Sequence, residues 1–244
     1  MWKLPLESQV TGKTECMEVG SGIILSTNPA GNMLDDGVRS AFFDRLGLEE
    51  QEGALLAPCN SDRPKISRAM NPGQFSADAL LTTNPSVFLW VMPGDCPIIF
   101  LRDNEKKMIV HLSLSALLRG ALERSLRVFR PGRTQVLIGP SIQECCYVFA
   151  ADHPILRNLV QLTTCCWDGA IIPVHPNNGE GARYRISLQN RIENTLFSRG
   201  FCEFEEVPIC TCCGLDKDGN YVFPSHRRST KNGLSESRFM AVML

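Results

Sequence analysis

The sequence predicts a single α/β domain in which a mixed β-sheet is covered by helices, and three features of the pattern point there. Short runs of β-branched and other apolar residues recur along the chain, stretches of helical periodicity alternate with them, and two of the runs lie close enough to fold back as a hairpin. The 244 residues suffice to bury one substantial core, and no repeat or linker-like tract divides them. Residues 1–20 read as an N-terminal extension or edge strand, and residues 21–244 as the domain.

In chain order, strands are expected at residues 21–25, 86–92, 98–101, 108–112 and 135–138, where runs of four to seven residues dominated by β-branched and other apolar side chains suit buried strands. Between the third and fourth, Arg102-Asp103-Asn104-Glu105 is a polar step of hairpin length, which adds antiparallel pairing to the sheet. A helix is expected over 36–46, with Val38, Ala41, Phe42 and Leu46 near helical spacing and Gly47 to end it. A second is expected over 115–129, where Leu118, Leu122, Leu126 and Phe129 share a face, and a third over 187–199, stopped by Gly200. Asn28-Pro29-Ala30-Gly31, Asn71-Pro72-Gly73 and residues 176–179 read as turns.

Composition narrows the function classes. A formal net charge of -1 gives no bulk attraction to nucleic acid, so none is expected as a partner. The N-terminus lacks the basic start and apolar core of a signal peptide, and no apolar run is long enough to span a bilayer, so a cytoplasmic protein without a membrane partner is expected. The eleven cysteines fall as singles and adjacent doublets, which in that setting reads as reduced thiols.

Chemistry is suggested first by Cys96 and His111, which the hairpin can bring together. An imidazole there can take the thiol proton and make a nucleophile, or thiolate and neutral imidazole can both ligate zinc. The bland alternative is a small buried thiol and an isolated strand-end histidine with a satisfied hydrogen bond. Cys210-Thr211-Cys212-Cys213 contains a Cys-x-x-Cys spacing, but a structural zinc site needs a second pair, and Cys145-Cys146 is not one by its spacing. A structural reading of these thiols holds unless the two segments are adjacent in space. His153 and His175 sit in turn-like settings and read as surface residues, and Gly139-Pro140-Ser141 reads as a turn.

Taken in order, Ala77-Asp78-Ala79-Leu80, Asp95-Cys96, Val110-His111, Gly139-Pro140-Ser141-Ile142 and Cys145-Cys146-Tyr147 resemble the motifs of the laccase-domain family, the YfiH-like polyphenol oxidases. The helix expected before Gly200, then Cys210 to Cys213, Ser225-His226-Arg227-Arg228 and Arg238-Phe239-Met240-Ala241 extend the resemblance over roughly residues 20–244. The resemblance implies a three-layer α/β fold, similar to that of the cytotoxic necrotising factor toxin domains. It also implies a zinc-dependent site, copper being the lesser alternative, that acts on a purine nucleoside with phosphate as partner. Phosphorolysis of adenosine or inosine and deamination of adenosine are the activities implied, beside an older polyphenol oxidase label.

The resemblance also implies metal ligands: a histidine in a Gln-Val-His-Gly motif, a cysteine after an aspartate, and a histidine opening a His-Ala-Gly-Trp-Arg-Gly motif. Cys96 and His111 match the second and third. No histidine lies between Leu56 and Ile66, where Asp62, or alternatively Cys59, offers a replacement donor. Ser113-Leu114-Ser115 stands where Gly-Trp-Arg is expected, so the departures gather at the site. Arg227 and Arg228 are candidates to hold phosphate or the nucleoside's polar groups through fork-like hydrogen bonds, against the alternative of a solvated basic turn. Three readings follow: a zinc-dependent nucleoside enzyme, a metal-free hydrolase or deamidase with Cys96 as nucleophile and His111 as base, and a non-catalytic relative kept as a binding module.

Overall fold

The computed structural model describes residues 15–20, 22–59, 63–154, 156, 167–174 and 182–244. Strands β1 (Cys16–Val19) and β2 (Ile23–Ser26) open it as an antiparallel pair. Helix α1 (Asp36–Leu46) has chemically fixed limits: the Asp35 carboxylate accepts from the Gly37 and Val38 N–H groups, and Gly47 stops the helix at φ 66°. Next come β3 (Gly53–Pro58), β4 (Ile66–Arg68), β5 (Gly73–Ala77), β6 (Ala79–Thr82) and β7 (Phe88–Val91). The expected hairpin is β8 (Ile98–Arg102) with β9 (Lys107–His111), and Asp103 closes its turn by accepting the Glu105 and Lys106 N–H groups.

The single helix expected over 115–129 is two helices instead. Gly120 takes φ 77°, a left-handed conformation that a continuing helix cannot contain, and separates α2 (Leu114–Leu118) from α3 (Ala121–Leu126). Strands β10 (Gln135–Ile138), β11 (Val148–Ala150), β12 (Ile171–Val174) and β13 (Arg183–Ile186) follow. Helix α4 (Leu188–Ser198) starts where the Ser187 hydroxyl accepts the Asn190 N–H and ends before Gly200 at φ 81°. The rest is β14 (Glu205–Glu206), α5 (His226–Lys231) and β15 (Ala241–Met243). Asn28–Ala30 is a single 3-10 turn, and the turn expected at 176–179 lies outside the described residues.

Among the described residues these strands form two six-stranded mixed sheets, β1-β2-β15-β7-β3-β5 and β14-β10-β8-β9-β6-β4, with a small antiparallel sheet β11-β13-β12. Alternation along each strand builds the layers. Leu80, Ile98, Phe100, Ile109 and Leu137 of the second sheet meet Leu25, Leu56, Leu89, Val91 and Met243 of the first in a core between the sheets. The opposite face of the second sheet, with Leu81, Ile99, Leu101, Met108 and Val110, is covered by Leu117, Leu122, Leu126, Ile192 and Leu196 of the helices. The outer face of the first sheet, with Phe88, Trp90 and Val242, is covered by Phe42 and Phe43 of α1. The expected mixed α/β class is borne out, with the β layer doubled. No described helix is long and apolar enough to cross a membrane.

Candidate functional site

The chain passes from the first sheet to the second between β5 and β6 and again between β7 and β8, and the candidate site lies at these two crossings. Between β5 and β6 the turning residue is Asp78. Its carbonyl accepts the His111 N–H at 2.9 Å, and its carboxylate accepts the Lys65 N–H at 2.9 Å and the Cys59 thiol at 3.8 Å. The end of β3, the corner and the end of β9 are thereby tied together.

The second crossing, between β7 and β8, carries Asp95 and Cys96. The Asp95 carboxylate is a junction: it accepts from the Thr211 hydroxyl at 2.7 Å, the Ser225 hydroxyl at 2.7 Å and the Arg227 N–H at 2.6 Å, while its carbonyl accepts the Ile142 N–H at 2.8 Å. Loops far apart in sequence thus converge on one side chain. Gly94 is required beside it, because a Cβ there would stand 2.9 Å from the Cβ of His226 at the start of α5.

In the β8–β9 pairing His111 faces Ile98, and the Leu112 N–H donates to the Pro97 carbonyl, which puts Cys96 just past His111 along the same hairpin. His111 is buried and Cys96 half-buried. Burial and then the positive charge of Arg238 push the imidazole down to about 4, so His111 is neutral at physiological pH. Burial and then Asp95 push the Cys96 thiol up to about 11, with Arg238 opposing. Tyr147 is pushed up as well, by burial and by Cys96, with Arg227 opposing, so Cys96, His111, Tyr147, Arg227 and Arg238 share one electrostatic neighbourhood. The His111 Nδ1 is buried with no hydrogen-bond partner among the described residues.

The arginine pair has divided duties. Arg227 donates to the Val148 carbonyl at 3.0 Å and lies over the rings of Tyr147 and Phe149 at 5.5 and 5.6 Å. Arg228 donates to the carbonyls of Thr211, Cys212 and Phe223 and lies 3.8 Å over the Tyr221 ring, so its fork holds the Cys212 turn. His153 stacks edgewise on Phe149, and His226 lies 3.5 Å from Glu236. His175 and Asp62 lie outside the described residues.

The two cysteine segments are adjacent in space, the condition on which a second metal site turned. Among the described residues, Cys145, Cys146, Cys210 and Cys213 are the one group of three or more ligating side chains whose donor atoms all lie within 4.8 Å of one another. Cys96, His111 and Cys59 are therefore not such a triad. Sequence reasoning missed the Asp95 junction and Arg238. The aspartate was visible only as a neighbour of Cys96, and nothing in the pattern around Arg238 marks it as facing that thiol.

The sequence matches the family described as "Multi-copper polyphenol oxidoreductase laccase" over residues 38–243. No curated protein matches it in sequence. Among solved structures, the hypothetical protein YfiH of Bacillus licheniformis is similar at a TM-score of 0.70 and 19% identity, covering 91% of this chain and 92% of that one. Neisseria meningitidis protein NMB0706 is similar at a TM-score of 0.71 and 16% identity, covering 95% and 99%. YlmD from Geobacillus stearothermophilus is similar at a TM-score of 0.66 and 18% identity, covering 91% and 92%.

Proposed function

The chain belongs to the multi-copper polyphenol oxidoreductase laccase family, and from that premise we propose that it is a zinc-dependent enzyme processing purine nucleosides at Cys96 and His111. The reaction is phosphorolysis of adenosine or inosine, or deamination of adenosine. The observation that carries the metal is the buried, unpartnered Nδ1 of a neutral His111 beside a half-buried thiol. An orphaned buried polar atom costs about 1–3 kcal/mol, which a bound ion offsets. The third protein ligand that a catalytic zinc site needs would come from Asp62, as the motif resemblance implies, or from Cys59, whose thiol would have to leave the Asp78 carboxylate to reach the ion. A centre of several coppers does not fit: the chain has four histidines, and His153 and His226 already face Phe149 and Glu236.

When bound, zinc acts as a Lewis acid and lowers the pKa of a coordinated water towards about 7. The chain's own residues bind and orient. Arg227, held near the Tyr147 and Phe149 rings and by the Val148 carbonyl, presents a fixed positive charge to phosphate or to the nucleoside's polar groups. Arg228 holds the neighbouring turn through the Thr211 and Cys212 carbonyls. Burial, aided by the positive charge of Arg238, keeps His111 deprotonated and ready to act as a ligand.

The metal-free Cys-His reading fits less well. A nucleophilic pair needs a thiol pushed down and an imidazole basic enough to take its proton, and here both shifts run the other way. Metal analysis of protein purified without chelator, with turnover of adenosine and inosine, tests the proposal. Loss of the one zinc held at Cys96 and His111, together with loss of turnover, in Cys96→Ser and His111→Ala is the expected result. Undiminished turnover by fully metal-free protein, or no turnover by zinc-loaded protein, would sink it.

A further inference from the structure

We propose that Cys145, Cys146, Cys210 and Cys213 bind a zinc ion as a tetrathiolate, a second centre distinct from Cys96 and His111 that clamps together the loops framing them. A tetrahedral ion with Zn–S bonds of about 2.3 Å needs four sulfurs about 3.8 Å apart. The four here all lie within 4.8 Å of one another, with Cys145 and Cys213 at 3.4 Å. A disulfide needs only one close pair, whereas an ion needs every sulfur near every other.

The backbone around Cys210 is already arranged for a thiolate. Its Sγ accepts the Gln143 N–H at 3.4 Å, and the Gly214 N–H closes a tight turn on the Cys210 carbonyl at 2.7 Å. Binding needs no oxidant or reductant: zinc replaces the protons of the four thiols, up to four of which are released, and the product carries a formal charge of -2. Arg228, donating to the Thr211 and Cys212 carbonyls, stands beside that charge.

The centre would act on the candidate active site through two short paths. Ser141 pairs with Cys210 as a parallel bridge, and the Thr211 N–H donates to the Ser141 carbonyl at 3.0 Å. From these loops Ile142 and Thr211 both bond to Asp95, and Tyr147 follows Cys146 directly. Zinc here therefore fixes the wall facing Cys96 without touching substrate.

The test uses the full chain as Cys96→Ser/His111→Ala, which removes both ligands of the first site and keeps all four cysteines of the second. It is produced with zinc and purified anaerobically without chelator. One zinc per chain and an X-ray absorption shell of sulfur only, at about 2.3 Å, are expected. Cys145→Ser or Cys213→Ser added to that background loses the zinc. A folded double variant without zinc, a shell containing nitrogen, or a mass short by two or four hydrogens from disulfides overturns the proposal. A single zinc in both the wild type and the double variant supports this centre and sinks the Cys96 and His111 metal instead, so the two readings fail separately.

Discussion

Replacing Asp95 separates its charge from its geometry. The carboxylate accepts three hydrogen bonds at 2.6 to 2.7 Å, from Thr211, Ser225 and the Arg227 backbone. Bonds to a charged acceptor are worth about 1.5–3 kcal/mol each. Because the residue is half-buried and its partners regain some water, Asp95→Ala is expected to cost about 4 kcal/mol of stability. Asp95→Asn is different, because both side-chain partners there are hydroxyls that can turn and accept. The amide nitrogen donates to Thr211 and Ser225 while its oxygen accepts the Arg227 N–H, leaving a loss of about 1–2 kcal/mol. The same substitution removes the negative charge that helps hold the Cys96 thiol up near about 11, so Cys96 ionises at lower pH. Urea unfolding measures the first effect, and pH-dependent alkylation of Cys96, read by peptide mass on chelator-treated protein, measures the second. Equal losses for Ala and Asn, or alkylation of Cys96 moved to higher pH in Asp95→Asn, would refute the reasoning.

His111 gives a pH prediction. Its imidazole sits near about 4 when folded against 6.5 unfolded, so between those values the unfolded chain binds a proton that the folded one does not. Stability is complete above about 6.5 and falls as the pH drops towards about 4, by about 3 kcal/mol in all. His111→Gln should flatten that slope in urea titrations of chelator-treated protein, and an unchanged slope refutes the assignment. Gly120→Ala places a Cβ in ordinary contact with Glu123 at 3.6 Å but forces an alanine to φ 77°, so a loss of about 1–2 kcal/mol in urea is expected, and a gain would contradict it. Arg228→Ala removes three carbonyl contacts and the Tyr221 stacking, for about 2–4 kcal/mol and faster amide exchange over residues 210–214. Unchanged exchange there would refute its role as the holder of that turn.

What the sequence disclosed tracks how locally each feature is determined. Helix α1 was legible to the residue because its cap, its apolar positions and its terminating glycine all lie within the segment. The β8–β9 hairpin was legible for the same reason. The helix over 115–129 was misread because an apolar stripe continues across Gly120, and only its left-handed backbone betrays the break. Short polar strands such as Ile66–Arg68 and Arg183–Ile186 carry little alternation and are strands only by pairing. At the site, Cys96 and His111 were visible as motif positions. The approach of Cys145 to Cys213 spans 68 residues and follows from the Ser141 and Cys210 bridge, which no local pattern encodes.

The place of β15 bears on how the molecule is made. Residues 241–243 sit between β2 and β7, pairing with residues 23–25 on one side and 89–91 on the other. Until they emerge from the ribosome, β2 and β7 each present an unpaired edge of hydrogen-bonding groups bordering an apolar face. The first sheet thus cannot close before residues 241–243 have emerged, however early its other strands appear, and until then its exposed edges are available to chaperones or to neighbouring nascent chains. Removing a few residues after Met240 is expected to split the sheet and leave an aggregation-prone product, although it deletes no candidate site residue.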